Sequence, residues 1–162
     1  MKPRRTAHAV IAAGVSGGLV GGVCIWVYEA LVWSGVQHLM PLSGIARNAV
    51  GLTFGNRTRD ALGWISYPLG TLIHFAFAAA WGVIFALIWP WFRRRGWEAT
   101  LLALPFAVVL WVAMHVAVLL AGHEHPDYLD PTVIIGGIMS HLFYAVPLAL
   151  IVRHHQYTSK LP

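Results

Sequence analysis

Charged residues are scarce in this sequence of 162 residues, of which 10% are Asp, Glu, Lys or Arg. Soluble domains carry roughly a quarter charged residues. Because 58% of the residues are hydrophobic and the mean hydropathy is +0.67, this scarcity excludes an ordinary soluble domain. We expect one integral membrane domain over residues 1–162, with the lipid bilayer as its main partner and no separate soluble module.

Cysteine is almost absent, since the only one is Cys24. An internal disulfide framework and a thiolate metal cluster are therefore excluded. The sequence also has no HExxH, P-loop, Rossmann or CxxCH motif. Any haem would have to bind without covalent attachment, and whether the protein is an enzyme stays open.

Four long apolar segments predict four transmembrane helices. They cover residues 10–33, 65–89, 100–121 and 132–152. Each can cross about 30 Å of hydrocarbon at ~1.5 Å per residue. The first follows a basic stretch like that of a signal peptide, but it is too long for an ordinary signal-peptide core, so a retained helix is expected. Asp130 and Pro131 are typical of a helix N-terminus and predict where the fourth span begins.

Lys and Arg are divided unevenly between the two sides of these spans. Eight of the 11 lie before the first span, between the second and third, or after the fourth, and three lie in the first outer loop. The positive-inside rule therefore predicts an up-down-up-down four-helix bundle with both termini in the cytoplasm. The net charge of +5 is then explained by topology and by anionic lipid headgroups, and no nucleic-acid partner is expected.

The first outer loop, residues 34–63, is the one long connection between spans. Ser43 could cap a short helix within it. The apolar residues of that helix would be Ile45, Ala46, Ala49, Val50 and Leu52. We predict a short interfacial or re-entrant segment on the outer surface, and the alternative is an irregular loop packed over the mouth of the bundle.

Glycines recur at helical spacing in the first span. Overlapping GxxxG patterns are formed by Gly14, Gly17, Gly18, Gly21 and Gly22. Such patterns let a neighbouring helix approach closely. Packing within the bundle is one interpretation, and self-association or docking to a membrane-protein partner through Gly18 and Gly22 is the other. Helical spacing continues this face to Glu29, which should point at the same neighbour rather than at lipid.

Three spans carry a histidine near their middle, and the first carries Glu29 near its end. Helical rise places His74 and His141 roughly 13 Å, and His115 roughly 9 Å, below the outer boundary. Glu29 lies four residues before the end of its span. These four groups therefore share one layer in the outer half of the membrane, where an ionisable side chain indicates a functional site.

The neighbours of His74 and His141 suggest haem as one possible cofactor. Both histidines have small residues four positions before and after them. These residues are Gly70, Ala78, Gly137 and Ala145. They could leave flat space for a porphyrin, with His74 and His141 as the two axial ligands of haem b. His115 has Trp111 and Leu119 at the same offsets and is expected to pack or hydrogen-bond.

A metal ion without porphyrin is the second possibility. His74, His115, His141 and Glu29 could together bind a divalent zinc, copper or iron ion. The third possibility is that the histidines are structural hydrogen-bonding groups or relay protons. In the last outer loop, His123 and His125 lie beside three carboxylates, a pattern that suits metal capture above the buried layer, although short loops are also polar because they face water.

Two short segments resemble a known family. Residues 74–82 read HFAFAAAWG and residues 140–145 read SHLFYA. Together with the glycine-rich first span, they resemble small uncharacterised bacterial inner-membrane proteins of the YagU type, which implies a bacterial inner membrane. The resulting hypothesis is a membrane protein that binds haem or a metal in its outer half for electron transfer or metal handling. The alternatives are an accessory subunit of a larger membrane complex and a small transporter or proton pathway.

Overall fold

The protein is built from helices in the computed structural model, which describes residues 7–121 and 129–158. In chain order the helices are α1 (Ala7–Tyr28), α2 (Leu42–Phe54), α3 (Asn56–Ala61), α4 (Ser66–Arg93), α5 (Ala99–Leu120) and α6 (Pro131–Thr158). A π-helical segment, Glu29–Val36, continues α1, and a 3₁₀ turn, Gly63–Ile65, precedes α4. These two ranges contain no strand, which confirms the predicted all-α class for the described residues.

Within the described residues, four helices are long and apolar enough to cross a membrane. They are Ala7–Val36, Gly63–Arg93, Ala99–Leu120 and Pro131–His155. The predicted spans agree with them to within a few residues at each end, because the helices continue into the more polar flanks. The predicted start of the fourth span is confirmed, since the Asp130 carboxylate accepts a hydrogen bond from the Thr132 N–H at 2.7 Å.

Helix α1 lies between α4 and α6 and contacts both through its glycines. Gly14 faces Gly82 and Val83, whereas Gly18 and Gly22 face Ala78 of α4. On the other side, Gly17 faces Leu148 and Gly21 faces Tyr144 of α6. As the residue number increases along α1, the residue number of its contact decreases along α4 and along α6. Helix α1 is therefore antiparallel to both. The backbones can approach this closely because glycine has no side chain.

Helix α5 completes the bundle through larger side chains. Phe106 packs edge-on against Phe85 and Trp81 of α4, with ring centroids 5.0 and 6.3 Å apart. At its N-terminal end, Glu98 is 3.5 Å from the guanidinium of Arg153 of α6. The α4–α5 contact is therefore filled by aromatic rings, in contrast with the glycine contacts of α1.

Helix α2 packs against α4 in the first long connection. The carbonyl of Ala46 lies directly against Gly70, where a side chain would collide with it. Ile45, Ala46 and Val50 are buried in this contact. The predicted helix exists, but the predicted cap at Ser43 is wrong: α2 begins at Leu42 with Pro41 in the cap position. Because the φ angle of proline is already near that of a helix, Pro41 can lead directly into it.

Candidate functional site

A cavity of about 560 Å³ lies inside the bundle beside α2 and α3. All six helices contribute to its walls. Its polar lining consists of Glu29, Asn48, Asn56, Arg59, Asp60, His74, His115, His141 and Tyr144. The remaining walls are aliphatic or aromatic. All four ionisable side chains that the sequence placed in one layer therefore face the same cavity, and its volume is in the usual range for small-ligand sites.

His115 and His141 are the pair of rings that the fold brings together, with centroids 6.4 Å apart. The Nδ1 of His115 is 2.6 Å from the Trp111 carbonyl oxygen. The Nδ1 of His141 is 2.8 Å from the Gly137 carbonyl oxygen. A carbonyl oxygen can only accept, so Nδ1 carries a proton in both rings, and in the neutral form of each ring Nε2 is the acceptor nitrogen.

Ser140 reinforces this tautomer of His141. Its hydroxyl donates to the Gly137 carbonyl at 2.8 Å, and its oxygen lies 3.2 Å from the Nδ1 of His141. Ser140 is fully buried and His141 is 7% exposed. Metal-binding histidines usually donate their second ring N–H to a carbonyl or carboxylate in this way. His141 therefore has the orientation that a metal ligand requires.

His74 is held differently. Its Nε2 is 3.1 Å from the Gly22 carbonyl oxygen of α1, so Nε2 carries the proton. Its ring also lies edge-on against Phe75, with centroids 5.1 Å apart. His74 thus lines the cavity while linking α4 to α1, which is the structural role that the sequence left open for these histidines. The ring beside His141 is that of His115, whereas the sequence pattern had paired His141 with His74.

The space predicted for a porphyrin is occupied by the chain itself. At Gly70, one turn before His74, the backbone of Ala46 fills the gap, and at Gly137, one turn before His141, the indole of Trp111 does so. Ala145 is completely buried. The small residues around the two histidines therefore serve helix packing, and they do not clear a face for a macrocycle.

No group of three or more His, Cys, Asp or Glu side chains close enough for one metal ion occurs within residues 7–121 and 129–158. The predicted compact site of His74, His115, His141 and Glu29 is therefore not assembled there. The tie between His74 and Gly22 is one physical reason, because it turns Nε2 of His74 toward α1. His123 and His125, the predicted capture residues, lie outside the described residues.

Glu29 is the first residue of the π-helical segment, which extends to Val36. Short π-helical insertions in α-helices are often found at functional sites. The Glu29 side chain lines the cavity, as expected for a group that should face a neighbouring helix. Its carboxylate has no hydrogen bond or ion pair with any other residue that the structure describes. An ionised carboxylate inside the membrane costs free energy unless a partner compensates its charge.

Four cavity residues that the sequence analysis missed come from α2 and α3: Asn48, Asn56, Arg59 and Asp60. Asp60 accepts hydrogen bonds from Arg59 at 2.8 Å and from Arg47 at 3.1 Å. The bond from Arg59 lowers the pKa of the Asp60 carboxyl below its usual value. Arg59 and Asp60 are adjacent in the sequence, whereas Arg47 lies on α2 and reaches Asp60 only through the packing of α2 and α3.

The surface predicted for a membrane-protein partner is used within the chain. Gly18 and Gly22 are both buried, and a Cβ on either would meet Ala78 of α4. Packing inside the bundle, one of the two interpretations of the glycine pattern, accounts for these residues. Self-association or docking of a partner through Gly18 and Gly22 stays a prediction.

Comparison with known proteins does not add a relative to this picture. No model of a known protein family, no curated protein and no solved structure matches the chain. The resemblance to proteins of the YagU type therefore stays a prediction.

Proposed function

We propose that this is a multi-pass membrane protein that binds a divalent transition-metal ion through His115 and His141, for metal handling. The observation that carries the proposal is the side-by-side position of these two rings on the cavity, each with its Nδ1 proton directed to a carbonyl oxygen. Imidazole nitrogen is a preferred ligand of zinc, copper and iron. A haem is not part of the proposal, because Trp111 and Ala46 fill the space that it needed.

The ring separation supports one ion shared by the two rings. Metal–nitrogen bonds are about 2.0–2.1 Å long, so two imidazole nitrogens on opposite sides of one ion lie about 4 Å apart, and two at a tetrahedral angle lie about 3.3 Å apart. Because a ring centroid lies about 1 Å farther from the ion than its nitrogen, centroids 6.4 Å apart are near the separation of opposite ligands, and a tetrahedral zinc would require the rings to approach by about 1 Å. Two imidazoles supply only part of a coordination shell, and water would complete it.

The site has a route to the surface on the side of α3. Asp60 lines the cavity, and its side chain is 58% exposed. An ion could therefore reach His115 and His141 past Asp60 and the amides of Asn48 and Asn56. Carboxylate and amide oxygens suit a hydrated cation on its way to tighter nitrogen ligands.

For the position in the membrane we propose an up-down-up-down bundle with both termini in the cytoplasm. The eight-to-three division of Lys and Arg supports this orientation. It places the cavity, together with α2 and α3, in the outer half of the membrane. A bacterial inner membrane is the location that the resemblance to YagU-type proteins implies.

Metal titration of the purified protein tests the proposal. Isothermal titration with Zn²⁺ and with Cu²⁺, after chelator treatment, should show binding of about one ion. His115→Ala and His141→Ala should each weaken this binding by more than the 10–100-fold that loss of a supporting group costs. His74→Ala should keep most of the affinity, because its Nε2 is directed to Gly22.

His155→Ala is the matched control, because His155 is exposed near the end of α6 that lies away from the cavity. Thermal melts of every variant would show whether the bundle is intact. The proposal is wrong if folded His115→Ala and His141→Ala proteins bind both metals as tightly as the unchanged protein. Equal loss in His74→Ala would show instead that the ion lies elsewhere in the cavity.

A further inference from the structure

We infer that the same cavity also binds a small organic cation, with its charge beside Glu29 and its apolar body against the aromatic walls. This inference goes beyond the metal proposal and does not depend on it. It rests on three properties of the cavity: its volume, the charge balance of its lining and the chemistry of its walls.

The volume exceeds what one ion needs. The cavity measures about 560 Å³, whereas sites for organic ligands range from about 300 to 1,000 Å³. An ion held between His115 and His141 would occupy a small part of it. The remaining space is bordered mainly by apolar side chains, which favours an organic molecule over a chain of water molecules.

The two acidic side chains of the described lining differ in their partners, and this difference favours a cation beside Glu29. Asp60 is paired with Arg59 at 2.8 Å and with Arg47, which does not line the cavity, at 3.1 Å, so its charge is already compensated. The Nδ1 protons of His115 and His141 are directed to carbonyl oxygens and therefore not to Glu29. Glu29 remains, and its carboxylate has no ion-pair partner within residues 7–121 and 129–158. A ligand that brings a positive charge would supply the missing partner.

The walls present aromatic rings to that ligand. Trp33, Phe77, Trp81 and Tyr144 all line the cavity. The Tyr144 hydroxyl donates to the Ala78 carbonyl at 2.6 Å, so its proton is already used. Aromatic faces attract organic cations and provide apolar contact at the same time. A carboxylate with several aromatic rings around one cavity therefore fits a substituted ammonium or phosphonium compound better than a neutral or anionic one.

Binding of radiolabelled tetraphenylphosphonium to the purified protein in detergent tests this inference. This probe carries a permanent charge and four aromatic rings, and excess unlabelled probe defines the saturable part of the signal. We expect saturable binding that Glu29→Gln weakens about tenfold or more, since the probe makes no hydrogen bond and its coulombic attraction to a carboxylate in a site shielded from water is worth at least this factor in Kd. Glu29→Asp, which keeps the charge, should retain more of the affinity than Glu29→Gln.

Two controls separate this site from general binding to the protein and from the metal site. Glu98→Gln removes an exposed carboxylate that lies beside Arg153, and it should not change binding. His115→Ala and His141→Ala should still bind the probe even where they lose the metal. Uncharged triphenylphosphine oxide should not displace the probe.

The inference is overturned if saturable binding is absent, if it is unchanged in folded Glu29→Gln protein, or if the neutral compound competes equally well. Metal binding that depends on His115 and His141 would then stand without the organic ligand. Conversely, probe binding without any metal binding would remove the proposed function and leave this inference in place.

Discussion

Substitution of Gly18 by alanine tests the packing of α1 against α4. In the structure, a Cβ at Gly18 would overlap the carbonyl oxygen of Ala78 and lie 3.0 Å from the Cα of Ala79. Both neighbours are backbone atoms, so no side chain can rotate away and the two helices must separate. Overpacking of this kind costs about 1–3 kcal/mol. Alanine offsets part of that cost, because it is about 1 kcal/mol better than glycine in a helix interior.

Separation of the helices adds a second cost. A gap of about 0.5–1 Å loses a quarter to a half of the dispersion energy of each atom pair between α1 and α4. We therefore expect Gly18→Ala to lower the free energy of unfolding by about 2 kcal/mol. Gly35→Ala is the matched control, since its Cβ would meet only the Ala30 carbonyl oxygen, at the ordinary distance of 3.5 Å. It should leave stability unchanged or raise it slightly.

Reversible unfolding in mixed detergent micelles, followed by circular dichroism, measures both variants. Gly82→Ala extends the test from the α4 side, because its Cβ would lie 2.7 Å from the Cα of Gly18. Since Gly18→Ala and Gly82→Ala force apart the same contact, the double variant should lose less than the sum of the two single losses. Equal stability of Gly18→Ala and Gly35→Ala would refute the close approach of α1 and α4.

Three further outcomes are expected. A membrane-impermeant thiol reagent applied to intact cells should label Thr58→Cys and not Arg94→Cys, and the reverse pattern would overturn the topology derived from the positive charges. Tyr144→Phe should cost about 1 kcal/mol of stability, because it removes the hydrogen bond to the buried carbonyl of Ala78; an unchanged melting curve would argue against that bond. Asp60→Asn should loosen α3 at neutral pH. Because the pKa of Asp60 is lowered in the folded protein, the stabilisation is present above its usual pKa and is lost as the pH falls through the lowered one. Hydrogen exchange in α3 should therefore differ between the two proteins at neutral pH and converge in acid, and a constant difference would contradict this account.

Much of the fold could be predicted from the sequence because the signals are local. A long apolar run needs no distant partner to indicate a membrane helix, and an Asp-Pro pair can start a helix with its own atoms. The four long helices and the hydrogen bond from Thr132 to Asp130 follow from such signals. The depth of a residue in the membrane also follows from its position along its own helix, because the rise per residue is constant. For this reason Glu29 and the three histidines could be assigned to one layer from the sequence.

The direction in which each side chain points was decided only by the tertiary structure. Rotation of α4 against α1 turns His74 toward the Gly22 carbonyl, and packing of α5 against α6 places His115 beside His141. The gap beside Gly137 is filled by Trp111, a residue 26 positions away in the sequence. Small residues leave a space, but the sequence alone does not say whether a cofactor or a neighbouring helix fills it. That outcome depends on contacts between distant segments, which have no local signature.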